Sequence, residues 1–125
     1  MESLTKKEEE IMQVLWRLKK GVVHAILTEL PEPKPKYTTV STVVRILEEK
    51  GFVNHRSFGK THEYFPVVSK MAYKRFLFKQ MISSYFDNSY ENVVSFMVND
   101  REVSEEELAE MKQIIEENEK LRRGE

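Results

Sequence analysis

Apolar residues recur at helical spacing from the start of the chain. Leu4, Ile11, Met12, Leu15, Trp16 and Leu18 form one stripe, and Thr5-Lys-Lys-Glu8 before it has the spacing of a capping box. A first helix therefore begins at Thr5 and ends at Gly21. Val22 predicts a very short strand, and Val23, Ile26, Leu27 and Leu30 line a second helix that the prolines between Pro31 and Pro35 stop. A third helix follows, capped by Thr38 or Thr39, with Val40, Val43, Val44 and Leu47 inward and Gly51 at its end. The pattern then switches to alternation. Phe52 to Ser57 and His62 to Val67 read as the two strands of a hairpin turning at Gly59.

After Val67 the texture changes again. From Ser69 a helix carries Met71, Tyr73, Phe76, Leu77, Phe78, Met81, Ile82, Tyr85 and Phe86 around most of its circumference, more than one neighbouring helix can cover. A second segment runs from Tyr90 to Val98, and Ser104-Glu-Glu-Glu107 is another capping box opening a third helix with Leu108, Met111 and Ile115. The expected fold is mainly α: a winged helix-turn-helix of three helices and a two- or three-stranded wing over residues 1–68, then a three-helix dimerisation domain over 69–125. Three such helices would be marginal as an isolated globule, so their surplus apolar surface predicts a second copy in a twofold dimer. The residues expected at that interface are Phe76, Met81, Tyr85, Val93, Phe96, Met97, Leu108, Met111 and Ile115.

Composition narrows the chemistry. With no cysteine among 125 residues, thiolate metal sites, disulfides and thiol nucleophiles are excluded. No apolar run is long enough for a membrane span and no charged start precedes one, so a cytoplasmic protein without membrane insertion is expected. The net charge of −1 conceals a gradient. Lys19 to His62 holds eight basic and four acidic residues, whereas Asn99 to Glu125 holds five basic and ten acidic. Only local positive charge releases counterions from a phosphate backbone.

Those basic residues fall where a winged helix would use them. The third helix presents Thr38, Thr39, Ser41, Thr42 and Arg45 opposite its valines, hydroxyls and a guanidinium suited to base edges. His55, Arg56, Lys60 and His62 cluster around the hairpin tip with Gly59 permitting the turn, Arg56 and Lys60 as candidates for phosphate contact, and Lys34 and Lys36 in the turn before the third helix as weaker anchors. Each feature alone describes an ordinary solvated surface; together they point to DNA binding. His24, His55 and His62 lack a carboxylate constellation for a metal, and no nucleophile–base–acid grouping or phosphate loop is present. Neither enzymatic activity nor a cofactor is expected.

Three runs, TKKEEEIMQVLW, TVSTVVRILEEKGFVNHR and GKTHEYFPVVS, resemble the penicillinase repressor family over nearly the whole chain. The resemblance implies a homodimeric winged-helix repressor on a palindromic operator, with Thr39, Ser41, Thr42 and Arg45 on its reading helix and the segment from Ser69 as its dimerisation domain. It further implies, in the resistance-regulating branch, inactivation through a membrane sensor and proteolysis in the middle helix of that domain. The family's bond typically has Asn before Phe; the matching pair here is Ser95-Phe96. The copper-responsive branch has a C-terminal cysteine cluster, absent here. Two other readings stay open: a winged-helix regulator sensing a small ligand in its C-terminal helices, and a winged helix used for protein contact.

Overall fold

The computed structural model describes residues 1–124; the last residue of the expected second domain, Glu125, lies outside them. The elements are α1 (Lys6–Leu18), β1 (Gly21–Val22), α2 (Val23–Glu29), α3 (Tyr37–Glu49), β2 (Val53–Phe58), β3 (Thr61–Pro66), α4 (Lys70–Tyr85), α5 (Tyr90–Asn99) and α6 (Glu105–Arg122). The three strands form one antiparallel sheet in the order β1-β3-β2, so the two residues of β1 do extend the hairpin to a third strand.

Local chemistry sets most of these boundaries. Both capping boxes form: Thr5 accepts from the Glu8 amide while Glu8 accepts from the Thr5 amide, and Ser104 and Glu107 do the same. Gly51 lies at φ 83°, and the amides of Gly51 and Phe52 donate to the carbonyls of Glu48 and Leu47. That crossed pair closes α3 in the left-handed turn only glycine adopts cheaply. The start of α3 departs from the expected cap. The helix already includes Tyr37, and Lys36 is its N-cap without a side-chain hydrogen bond, leaving Thr38 and Thr39 inside the first turn.

The main core gathers Met12 and Leu15 of α1, Ile26 of α2, Val40, Val44 and Leu47 of α3, and Phe52, all essentially inaccessible to solvent. Burying each such side chain stabilises by about 1.5–3 kcal/mol. The compact unit built on this core runs past the expected boundary at residue 68, to Phe78. The reason is aromatic packing on the first turns of α4. Tyr73 is buried with its ring 5.7 Å from Phe52 and 5.9 Å from Trp16, and its hydroxyl accepts from the Leu4 amide at 2.8 Å. Trp16 donates to the Val68 carbonyl at 2.9 Å. Phe76 and Leu77 also pack on this core, so Phe76, expected at a dimer interface, is partly committed to the first unit instead.

The unit from Lys79 onward is of another kind. Among the described residues, neither α5 nor α6 buries a single side chain, and the Phe96 ring stands edge-on to Phe86, at 5.7 Å between rings. These helices are well capped, but the interior of the unit is small: Ile82 of α4 is buried, and Val93, Met97, Leu108 and Met111 are half-buried.

Glu8 illustrates how a cap becomes a tertiary contact. Its carboxylate is buried and accepts from Lys50 Nζ at 2.8 Å, joining the start of α1 to the end of α3. Burial alone would raise its pKa. The bonds from Lys50, the Thr5 backbone and the Thr5 side chain outweigh burial and hold the carboxyl below its ordinary value of 4.5. Lys50 is raised in turn, chiefly by its bond to Glu8. A carboxyl with a depressed folded-state pKa contributes its full stability above its ordinary value and loses it as the pH falls through the depressed one. Glu8→Gln should therefore lower stability at pH 7 by about 1–3 kcal/mol, because Lys50 loses its partner. Urea denaturation of both proteins should show the gap narrowing as the pH falls below the ordinary carboxyl value of 4.5 and closing once the parent's depressed carboxyl is protonated.

Candidate nucleic-acid interface

The buried stripe of α3 decides which of its side chains remain outside. With Val40, Val44 and Leu47 inward, Thr38, Thr42 and Arg45 are exposed on the far side and Ser41 is half-buried on the flank toward the sheet. Arg45 Nη2 donates to Ser41 Oγ at 3.0 Å, one turn apart, and the Thr42 hydroxyl donates to the Thr38 carbonyl at 2.9 Å. These four side chains share one outward surface. Thr39 does not. It is half-buried on the opposite flank, where it lines a cavity of about 210 Å³ with Lys7, Ile11, Val43 and the proline turn.

The hairpin is similarly sorted by its register. His55 pairs with Tyr64 and Ser57 with His62, so these side chains share the sheet face that packs on α3. Arg56 pairs with Glu63 and therefore lies on the other face, beside Lys19, Lys20 and Phe65 around a hollow of about 190 Å³. The expected tip cluster of His55, Arg56 and Lys60 is thus divided between two faces. His55 is half-buried, its Nδ1 in contact with the Glu48 carboxylate on α3 and its ring stacked on His62 at 4.1 Å and 11°. Gly59 and Lys60 form the two-residue turn between the paired Phe58 and Thr61, and Gly59 takes φ 60°. That positive φ is the requirement for glycine here, since no atom lies near its missing Cβ.

The two lysines of the turn before α3 also separate. Lys34 Nζ donates to the carbonyls of Leu30, Thr28 and Leu27 at 2.7, 2.8 and 3.4 Å. It caps the last turn of α2, which places a cation where the helix carries its partial negative charge. Those bonds occupy the ammonium expected as a weak anchor. Lys36 is exposed; its carbonyl accepts from the Val40 amide at the start of α3, and among the described residues no hydrogen bond or ion pair engages its ammonium.

Between α3 and the hairpin lies a cleft of about 650 Å³ lined by Tyr37, Ser41, Arg45 and Glu48 on one side, Lys60, Thr61, His62 and Tyr64 on the other, and Val22, Val23 and His24 at its end. Tyr64 forms part of the floor. Burial raises its hydroxyl pKa, the Glu48 charge adds to the shift and the Arg45 charge opposes it, so the phenol stays protonated. His62 was expected in the tip cluster, whereas Tyr37, Glu48 and Thr61 were not among the residues expected from sequence. Tyr37 could not have been found, because the helix was expected to start after it. Among the described residues no group of three or more His, Cys, Asp or Glu is arranged to hold a metal ion.

In the second unit, Met81, Tyr85, Phe96 and Ile115 are exposed, Tyr85 by 80%, while Val93, Met97, Leu108 and Met111 are half-buried. Ser95 is exposed beside Phe96 in the middle of α5. No helix among the described residues is long and apolar enough to cross a membrane.

The family model for the penicillinase repressor matches residues 4–117. The chain is 24% identical over 115 residues to the methicillin resistance regulatory protein MecI of Staphylococcus aureus, covering 90% of this chain and 92% of that one. It is 28% identical over 115 residues to the penicillinase repressor of Bacillus licheniformis, covering 89% and 88%. The solution structure of the DNA binding domain of the repressor BlaI aligns with a TM-score of 0.51 at 25% identity, over 57% of this chain and 88% of that one. The chain belongs to the penicillinase repressor family, a family of transcriptional repressors and not of enzymes.

Proposed function

We propose that this chain is a DNA-binding transcriptional repressor that acts as a homodimer on a palindromic operator. One observation carries the reading most directly: a helix presents Thr38, Ser41, Thr42 and Arg45 on a surface clear of the body, beside a two-stranded ribbon whose turn bears Lys60. Such a pair of elements fits a helix in the major groove and a ribbon on the adjoining backbone. Hydroxyls and a guanidinium are the groups that read base edges there. The similarity of the first unit to the BlaI DNA binding domain supports the same reading.

The dimer is supported by α5 and α6. Their apolar side chains Val94, Phe96, Val98, Ile114, Ile115 and Leu121 remain exposed within one chain, beyond the small interior around Ile82. A second copy would cover them, and the second half-site would then be bound as an effectively intramolecular event. Cleavage of the exposed Ser95-Phe96 bond, the pair matching the family's cleaved bond, would divide that apolar face and release the operator. A helix without buried side chains opens locally at little cost, as proteolysis of its backbone requires.

Three measurements test this reading. With Lys36 and Lys60 of each protomer on phosphates, four contacts per dimer, operator affinity should fall with salt at a log–log slope on the order of −4; a slope near zero would sink the proposal. Arg45→Ala should weaken operator binding by roughly 1–3 kcal/mol and relax preference at one base pair, whereas equal weakening on every sequence would assign Arg45 to the backbone. Phe96→Asp should sediment as a monomer with the first unit still folded, and dimers persisting at micromolar concentration would refute the assigned interface.

A further inference from the structure

The cleft between α3 and the ribbon contains an acid where the proposed function needs positive charge. A protein that places a helix in one groove and a ribbon on the next straddles the phosphodiester strand between them, so this cleft faces phosphate. Arg45 and Lys60 suit that environment, and so do the hydroxyls of Ser41, Thr61 and Tyr37. Glu48 does not. Its carboxylate lines the same cleft, on the α3 flank next to Ser41 and Arg45.

Glu48 is held by His55. The Nδ1 of His55 contacts Glu48 Oε2, and because a carboxylate only accepts, Nδ1 carries the hydrogen. Both side chains are between a quarter and a third exposed, so the contact is partly shielded from water. The His55 ring is fixed from its other sides by His62, stacked at 4.1 Å, and by Tyr64, at 5.6 Å. Arg45, one turn away from Glu48, spends its bond on Ser41 instead, which leaves its guanidinium outward. Among the described residues the Glu48 carboxylate is therefore bonded to a ribbon side chain and not to Arg45.

We propose that His55 is a positioning residue for DNA binding: it holds the Glu48 carboxylate against the ribbon side of the cleft, so that the acid is bonded to a donor instead of facing the phosphate strand alone. The inference rests on the DNA-binding reading above. It makes a prediction that a packing role does not make, because the harm from losing His55 comes from the carboxylate it leaves behind. An unmasked negative charge in a cleft facing phosphate repels it, and like-charge juxtaposition of this kind is strongly unfavourable at partly desolvated sites.

The test measures operator affinity of the full chain by fluorescence anisotropy, with thermal unfolding recorded for each variant. His55→Ala should weaken binding on the order of tenfold. Glu48→Gln should bind at least as well as the parent, since it deletes the charge and keeps the shape. The double variant, Glu48→Gln with His55→Ala, should recover most of the affinity that His55→Ala loses, even though it makes no new contact. If the double variant binds as weakly as His55→Ala, or if His55→Ala binds like the parent, the inference is overturned while the DNA-binding reading stands. If the parent itself binds no DNA at low salt, the failure belongs to that reading. Should His55→Ala lower the melting temperature of the first unit, His55→Gln serves in its place: its amide can still donate to Glu48, and it should bind within a few-fold of the parent.

Discussion

The first unit turns on Phe52. Its amide donates to Leu47 and so completes the end of α3, and its carbonyl accepts from the amides of Val67 and Val68 where the chain leaves β3. Its ring is 1% exposed and stands edge-on to Tyr73 at the start of α4. One residue thus joins the reading helix, both ends of the ribbon and the first turn of the next helix. Interiors packed at this density do not deform gradually, so the angle between α3 and the ribbon is set where Phe52 is buried. The cleft between them inherits its width from that junction.

Electrostatics then operate within a frame that packing has fixed. A chain with 20 basic and 21 acidic residues has no charge surplus to steer it to DNA, so the placement of a few groups has to do so. Several basic groups are occupied elsewhere. Lys50 neutralises buried Glu8, Lys34 caps α2, and Arg56 faces away from the cleft opposite Glu63. What remains on the reading side is Arg45, Lys60 and Lys36, with His55 engaged by an acid on the same helix. Under the proposed function, selectivity would rest on the position of these few groups and not on their abundance.

The second unit follows the opposite logic. Its helices have strong local signals, a capping box at Ser104 and a hydroxyl cap at Ser89, yet no buried side chain in α5 or α6 among the described residues. Its interior is slight: Ile82 of α4 is buried, and Val93, Met97, Leu108 and Met111 are half-buried. Short helices draw most of their stability from packing. Under the proposed dimer, folding of this unit and association become one equilibrium, and a single cut in α5 would disturb both.

The helices, the capping boxes at Thr5 and Ser104, the glycine stop at Gly51 and the alternating strands were legible in the sequence, because each depends on residues within one or two turns of one another. The outward face of α3 was legible for the same reason: three or four buried positions at helical spacing leave one face outward. What depended on distant partners was not. Thr39 looked equivalent to Thr38 until the proline turn covered its flank, and Lys34 looked free until the carbonyls at the end of α2 surrounded it. His55 and Arg56 are adjacent in the chain but on opposite faces of a sheet, and only the register and the approach of α3 show that one meets Glu48. Tyr73 carries the boundary of the first unit past residue 68 because Trp16 and Phe52 receive its ring. Sequence determined which elements form, since hydrogen bonding and side-chain period are local. Tertiary structure decided which charges and hydroxyls are left for a partner, since that is set by what far-separated residues have already consumed.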